Sequence, residues 1–244
     1  MFDNKEYFLF DLYGTLVDIR TDEGSPLVWA SLAYFYSMNG AVYNDTDLRR
    51  AYMRLCEEET AKLLKSMRKS NHKLTGSDVE IDLKDVFKAL YAGKGVKAGS
   101  QLISDTAVMM RSVSIVKLRL FDGAIEVLKE LKNRGKKICL LSNAQSCFTI
   151  PEIRSLGLYD MFDGIFISSD LKVKKPSLAF YEKAIGDIDP SSCVMIGNDE
   201  FADIRGAMVA GIDACYIQSE QSPSFPRNLP SDRINNLRDL IFES

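Results

Sequence analysis

Residues 7–15 read YFLFDLYGT, and the parsing of that stretch decides the fold. Tyr7-Phe8-Leu9-Phe10 is a short continuous apolar run, the pattern of a strand buried on both faces, and Asp11 stands where such a strand ends. Gly14 supplies a turn almost at once. The segment therefore exposes a carboxylate at a strand terminus, beside backbone that a ligand can approach. Taken alone, a strand ending in Asp-x-x-Gly is ordinary turn chemistry, so the remainder of the chain has to decide between a turn and a site.

The chain has 244 residues, enough for one large domain or two modest ones. Its net charge of -3 argues against a nucleic-acid surface. No apolar run approaches the ~20 residues of a membrane span. The N-terminus, MFDNKEYFLFDLYG, lacks a basic region followed by a long apolar core, so no signal peptide is expected. The five cysteines show no CxxC spacing, and Cys139, Cys193 and Cys215 lie in or beside apolar runs, as reduced core thiols do. A cytoplasmic, disulfide-free protein is the expectation. The single histidine, His72, sits in the polar stretch KSNHKLTGSD, which argues against a serine or cysteine nucleophile with a histidine base and against a multi-histidine zinc site.

Two textures divide the chain. From about Gly24 to Lys117 the periodicity is helical, with helices predicted over 47–69, 79–92 and 102–116 and no convincing strand. Lys62 to Lys73 reads as the solvated side and end of a helix. From Leu118 onward, strands (137–141, 164–167, 193–196, 212–217) alternate with helices (123–133, 153–158, 178–185, 202–210), and a loop-like tail leads to 236–242, which could form a closing helix. Such alternation predicts a parallel sheet with helices on both faces. Because the first strand is separated from the others, the economical arrangement is a discontinuous α/β core over 1–20 and 118–244 with a helical insert over 21–117.

In parallel α/β sheets, ligands bind at the carboxyl ends of the strands. Those ends carry Asp11, then Ser142-Asn143-Ala144, then Ser168-Ser169-Asp170 followed by Lys172-Val173-Lys174-Lys175-Pro176, then Gly197-Asn198-Asp199-Glu200 with Asp203 beyond. Each has an ordinary explanation: a helix cap, a solvated turn, an acid in the first turn of a helix. All four at the correct end of a strand exceed what turn chemistry supplies.

As an ordered set, FLFDLYGTL, ICLLSNA, VKKPSLAFY and IGNDEFADIRGA resemble the four motifs of the haloacid dehalogenase-like hydrolase superfamily, whose helical cap is inserted where the helical stretch falls here. The resemblance covers nearly the whole chain. It implies a Rossmann-like, doubly wound parallel core with an α-helical cap domain. It implies Asp11 as nucleophile, the backbone carbonyl of Tyr13 as a Mg2+ ligand, and Thr15 as the residue that orients the loop. Ser142 and the amides of Asn143 and Ala144 would hold phosphoryl oxygens, Lys175 would neutralise Asp11 and the substrate, and Asp199 or Asp203, with Asn198 as a further candidate, would complete the magnesium site. The chemistry needs such groups. A carboxylate and a phosphate repel, so a lysine and an oxygen-liganded Mg2+ must lie between them.

Two positions depart from the family pattern. The second acid of the first motif, used there as general acid and base, is Tyr13, and a phenol of pKa ~10 is a poor substitute for a carboxyl group. The first acid of the fourth motif is Asn198. Three readings follow. One is a Mg2+-dependent, phosphatase-type hydrolase of a small phosphorylated metabolite, favouring leaving groups that need no proton. The second is a metal-independent 2-haloacid dehalogenase acting on a halogenated acid, since Asp-x-Tyr-Gly-Thr resembles that branch, although its substrate-binding arginine segment has no match after Gly14. The third is a phosphate-binding protein with weak or no turnover. Tyr181 reads as a helix residue packing on the core, Glu200 as a surface acid, and Trp29, Tyr34, Phe35 and Tyr36 as cap core. No nucleic-acid or membrane partner is expected, and the oligomeric state is left open.

Overall fold

The computed structural model describes residues 2–69, 71–223 and 231–241. In chain order its elements are β1 (Tyr7–Phe10), β2 (Val17–Thr21), α1 (Pro26–Met38), α2 (Asp45–Met67), α3 (Leu83–Ala92), α4 (Ser100–Ser114), β3 (Ile115–Leu120), α5 (Ala124–Asn133), β4 (Lys137–Ser142) and α6 (Ser146–Ser155). There follow β5 (Gly164–Ile167), α7 (Ser168–Leu171), α8 (Leu178–Ile185), β6 (Cys193–Gly197), a π-helical turn (Glu200–Arg205), α9 (Gly206–Val209), β7 (Asp213–Ile217) and β8 (Asp232–Ile234). The described residues end in a short 3-10 turn, Leu237–Leu240.

Six strands form one parallel sheet in the order β5-β4-β1-β6-β7-β8. β1 is central, between β4 and β6, which is why its sequence is apolar without alternation. Phe8 and Phe10 enter one core with Leu128, Leu140 and Ile196, while Leu9 enters the opposite core with Phe180, Tyr181 and Met195. The sheet is thus covered on both faces, and the carboxyl ends of β1, β4 and β6 come out side by side. Helices α1 to α4 enclose a third apolar cluster, with Trp29, Leu32, Tyr36, Phe87 and Tyr91 inside it. Phe148 of α6 packs into that same cluster, so a helix that follows the parallel sheet is seated in the helical layer.

Several sequence expectations are corrected. β2 is not among the expected strands, and β3 begins at Ile115, inside the stretch read as strandless, so the helix expected to reach 116 stops at Ser114. β2 and β3 form an antiparallel ribbon, Val17 facing Leu120 and Ile19 facing Leu118. Both strands are short, and each is stabilised by a partner remote in the chain. α3 starts at Leu83, with Asp82 as its N-cap, because residues 78–80 instead pair with the segment before Lys175: Glu80 N donates to Lys172 O (3.2 Å) and Lys174 N to Asp78 O (3.0 Å). α6 begins at Ser146 rather than 153 and carries Pro151 inside it. β8 lies at the end of the tail read as loop, and the closing element is the 3-10 turn; the expected helix to 242 runs past the described residues. Tyr34 is 71 % exposed instead of cap core, and Glu200 is buried, paired with Arg233. Cys139, Cys193 and Cys215 are buried in the core as free thiols. Among the described residues, no helix is long and apolar enough to cross a membrane.

Candidate active site

Asp11 leaves β1 with its amide donating to Ile196 O, and the chain then turns tightly. Leu12 O accepts from the amides of Thr15, Leu16 and Val17 (3.2, 2.8 and 2.9 Å), and Gly14 takes a φ of +89°. The glycine is required twice over. Only glycine adopts that φ without strain, and a Cβ there would lie 2.2 Å from Asn198 Nδ2. The turn therefore brings Asp11 and Asn198, one from each of two neighbouring strands, to one place.

Lys175 organises the centre. It follows β5 and the short α7, and its backbone is gripped by the Asn143 amide, which accepts from Lys175 N (2.8 Å) and donates to Lys175 O (2.9 Å). Its Nζ donates to Asp11 Oδ1 (2.8 Å), Asp203 Oδ1 (2.7 Å) and Leu141 O (2.7 Å). An ammonium has three protons, and each has a partner. At 3 % exposure this would be a costly charge without them. The two carboxylates hold Lys175 above its ordinary pKa against the opposing effect of burial. Burial in turn pushes Asp203 upward, with Lys175 opposing it.

Asp203 is held from both sides: its second oxygen accepts from Asp199 N (3.0 Å). The π-helical turn places it there, and Gly197 makes the room, since a Cβ at that position would fall 2.2 Å from Asp203 Oδ2. Asp199 uses one oxygen, Oδ1, to cap the same turn, accepting from Phe201 N (2.8 Å) and Ala202 N (2.9 Å). Tyr181, buried in the core, donates its hydroxyl to Ala202 O and Asp203 O (2.8 and 3.0 Å), so the packing residue also supports this turn.

A cavity of about 190 Å³ opens at this centre, lined by Asp11, Tyr13, Ser142, Asn143, Lys175, Asn198, Asp199 and Asp203, with Gln221 and Pro223 at its edge. Ala144 is not on its wall, and its amide donates to Ser168 Oγ (2.9 Å). Thr15 approaches Asp11 Oδ2 (3.3 Å) and Asn198 Oδ1 (3.4 Å), as a residue orienting the loop would. The Tyr13 hydroxyl belongs to α6: it pairs with Thr149 Oγ1 (3.0 Å) and donates to Glu152. Burial and the Glu152 carboxylate raise its pKa far above that of an ordinary phenol. Glu152 and Thr149 carried no sequence signal, because their role depends on a tyrosine 136 or more positions away.

The donor set suits a hard cation. Asp11, Asn198 and Asp199, each with side-chain oxygen donors, line the cavity, and Asp11 Oδ2 accepts a long contact from Thr15 (3.3 Å). Mg2+ typically needs one or two carboxylates and otherwise keeps water. The arrangement is not a dense acidic cage: among the described residues, no three His, Cys, Asp or Glu side chains are grouped to hold a metal. Asp203 has one oxygen engaged by Lys175 and the other by Asp199 N.

Comparison with known proteins identifies the family. The family model described as "Hydrolase: haloacid dehalogenase-like hydrolase" matches residues 6–211. Glyceraldehyde 3-phosphate phosphatase of Methanothermobacter thermautotrophicus is 29 % identical over 121 residues, 49 % of this chain and 54 % of that protein. The chain thus matches only about half the length of that relative. Pyrimidine 5'-nucleotidase PynA of Streptococcus pneumoniae is 24 % identical across 97 % of this chain and 93 % of its own. In fold, the chain is similar to a 2-haloacid dehalogenase from Pseudomonas syringae, with a TM-score of 0.64 at 20 % identity over 97 % of this chain and 96 % of the other.

Proposed function

The chain belongs to the haloacid dehalogenase-like hydrolases, and from that premise we propose that it is a phosphatase-type enzyme that uses Asp11 as nucleophile on a small phosphorylated metabolite. The observation that carries this reading is the buried Lys175, which holds one oxygen of Asp11 where Asp11 lines the cavity. A lysine so placed neutralises the nucleophile and meets the negative charge of an incoming phosphoryl group. The relatives named as phosphatases and nucleotidases support a phosphate ester as substrate class.

In the proposed reaction Asp11 Oδ2 forms a bond to phosphorus as the bond from phosphorus to the leaving oxygen breaks, and water later hydrolyses the aspartyl-phosphate. Ser142 and the Asn143 amide orient the phosphoryl oxygens. Asp203 fixes Lys175 rather than binding a cation itself. Asp11, Asn198, Asp199 and the Tyr13 carbonyl would hold Mg2+, which, when bound, supplies further positive charge to the transferring group. The family's general acid is replaced by a phenol committed to Glu152, so the leaving oxygen departs without a proton from position 13. Acyl and aryl phosphates are therefore preferred over alkyl esters.

A panel of p-nitrophenyl, acyl and alkyl phosphates, with and without Mg2+, tests the proposal. Turnover of the first two that disappears in Asp11→Asn supports it, and no turnover of any phosphate with Mg2+ present rejects it. The Asp-x-Tyr-Gly-Thr motif favours a second reading, metal-independent dehalogenation. Chloride release from 2-chloropropionate, absent phosphate turnover, would establish that one.

A further inference from the structure

One chain of polar contacts joins four parts of the molecule. The Tyr13 hydroxyl, on the loop that follows Asp11, pairs with Thr149 and Glu152 of α6. Glu152 also accepts from Arg111 Nε of α4 (2.6 Å), and Arg111 Nη1 continues to Glu23, between β2 and α1 (3.0 Å). Glu152 is 4 % exposed and Thr149 fully buried. The Arg111 guanidinium lies over the Phe148 ring, 5.1 Å from its centroid, where α6 enters the helical cluster. A buried carboxylate must be compensated, so neither the phenol nor the guanidinium can leave Glu152 cheaply.

We infer that Tyr13 is a positioning residue through which the helical layer holds the nucleophile loop: Arg111 fixes Glu152, Glu152 fixes the Tyr13 hydroxyl, and that hydroxyl restrains residues 11–17. Arg111 touches none of those residues in this chain of contacts, yet its guanidinium is one connection removed from the loop. The phenol is thus not a proton donor to substrate but a tether. Its hydroxyl already donates to Glu152 and pairs with Thr149, so it is committed within the protein. The loop it restrains is tight, with Gly14 N donating to Val17 O at 2.8 Å and Leu16 N to Leu12 O at 2.8 Å, so a released anchor reads out as faster opening of these bonds.

The coupling itself does not depend on the proposed reaction; only its consequence for turnover rests on Asp11 being the nucleophile. Amide hydrogen exchange over residues 11–17 is measured in wild type, Arg111→Met, Tyr13→Phe and the double variant. Arg111→Met is expected to speed exchange in the loop at least tenfold, and to add nothing once Tyr13→Phe is present. An unchanged loop in Arg111→Met, or the same increment in both backgrounds, overturns the inference and leaves the network as local support for α4 and α6. Should Arg111→Met not fold, Arg111→Lys, which keeps the charge but loses the fork, is read in the same way. On p-nitrophenyl phosphate, Tyr13→Phe is expected to lower kcat severalfold with KM nearly unchanged. If wild type shows no phosphate turnover while the exchange pattern holds, the reaction is misassigned and the tether stands.

Discussion

Lys175 lies as close to Asp203 as to Asp11, with Nζ 2.7 Å from the first carboxylate and 2.8 Å from the second. The buried ammonium is shared between the two carboxyl groups. Geometry of this kind gives the proposed nucleophile a fixed direction before any substrate arrives.

Removing the lysine should expose how much depends on it. Lys175→Met leaves two carboxylates close to one another without their cation. Loss of a buried partner of this kind typically costs roughly 3–5 kcal/mol. Urea unfolding at pH 7 is the measurement, and the deficit should shrink as pH falls and an acid takes up a proton.

Gly14→Ala tests the turn. It combines a φ of +89° with a Cβ 2.2 Å from the Asn198 amide. Asn198 must move, and the expected cost is about 1–3 kcal/mol, accompanied by loss of any activity assigned to Asp11. Gly135→Ala, also at positive φ but with open space around it, should show the strain without the loss of activity.

Alkaline pH should destabilise the fold in a defined way. Burial raises the phenols of Tyr13, Tyr36, Tyr52 and Tyr181 above their unfolded value of about 10. It also pushes the thiols of Cys147 and Cys215 up to about 12. Each group is harder to ionise folded than unfolded, so its contribution is complete below the unfolded pKa and is lost as pH rises above it. Stability should begin to fall near pH 9 and fall faster beyond pH 10, each tyrosine adding about 1.4 kcal/mol per pH unit. Urea midpoints between pH 8 and 11.5 check this, with Tyr36→Phe removing one tyrosine's share of the slope.

Asn198→Asp addresses cation affinity. The residue lines the cavity with Asp11 and, as a ligand, would offer a neutral oxygen. A second anionic donor should tighten Mg2+ binding about tenfold or more, because affinity in oxygen sites rises with ligand charge. Calorimetric titration with MgCl2 measures it. An unchanged affinity would remove Asn198 from the proposed ligands.

Much of the architecture was open to reading from the chain. Tyr7–Phe10 announced a central strand because both faces of β1 are buried, so each residue is apolar. The strands at 137, 164, 193 and 213 were legible as short apolar runs, Asp11, Ser142 and Asn198 stand at strand ends, and Lys175 lies in the segment after β5 and α7. The β2–β3 ribbon was not, since Val17–Thr21 and Ile115–Leu120 are half-exposed and depend on each other. The start of α3 was misplaced because residues 78–80 are drawn to the backbone of 172–174, a preference invisible in their own sequence.

The sequence by itself determined the family, the parallel core and the identity of the residues around Asp11, because apolar continuity, turn residues and motif order are local properties of the chain. Only the tertiary structure decided what those residues do to one another. It divided Lys175 between two acids, set Asp199 to cap the turn that carries Asp203, and drew the Tyr13 hydroxyl to Glu152. The physical reason is that the partner of a buried polar group is chosen by packing. Glu152 and Arg111 come to Tyr13 on helices folded from distant parts of the chain, and no spacing along the sequence encodes their meeting.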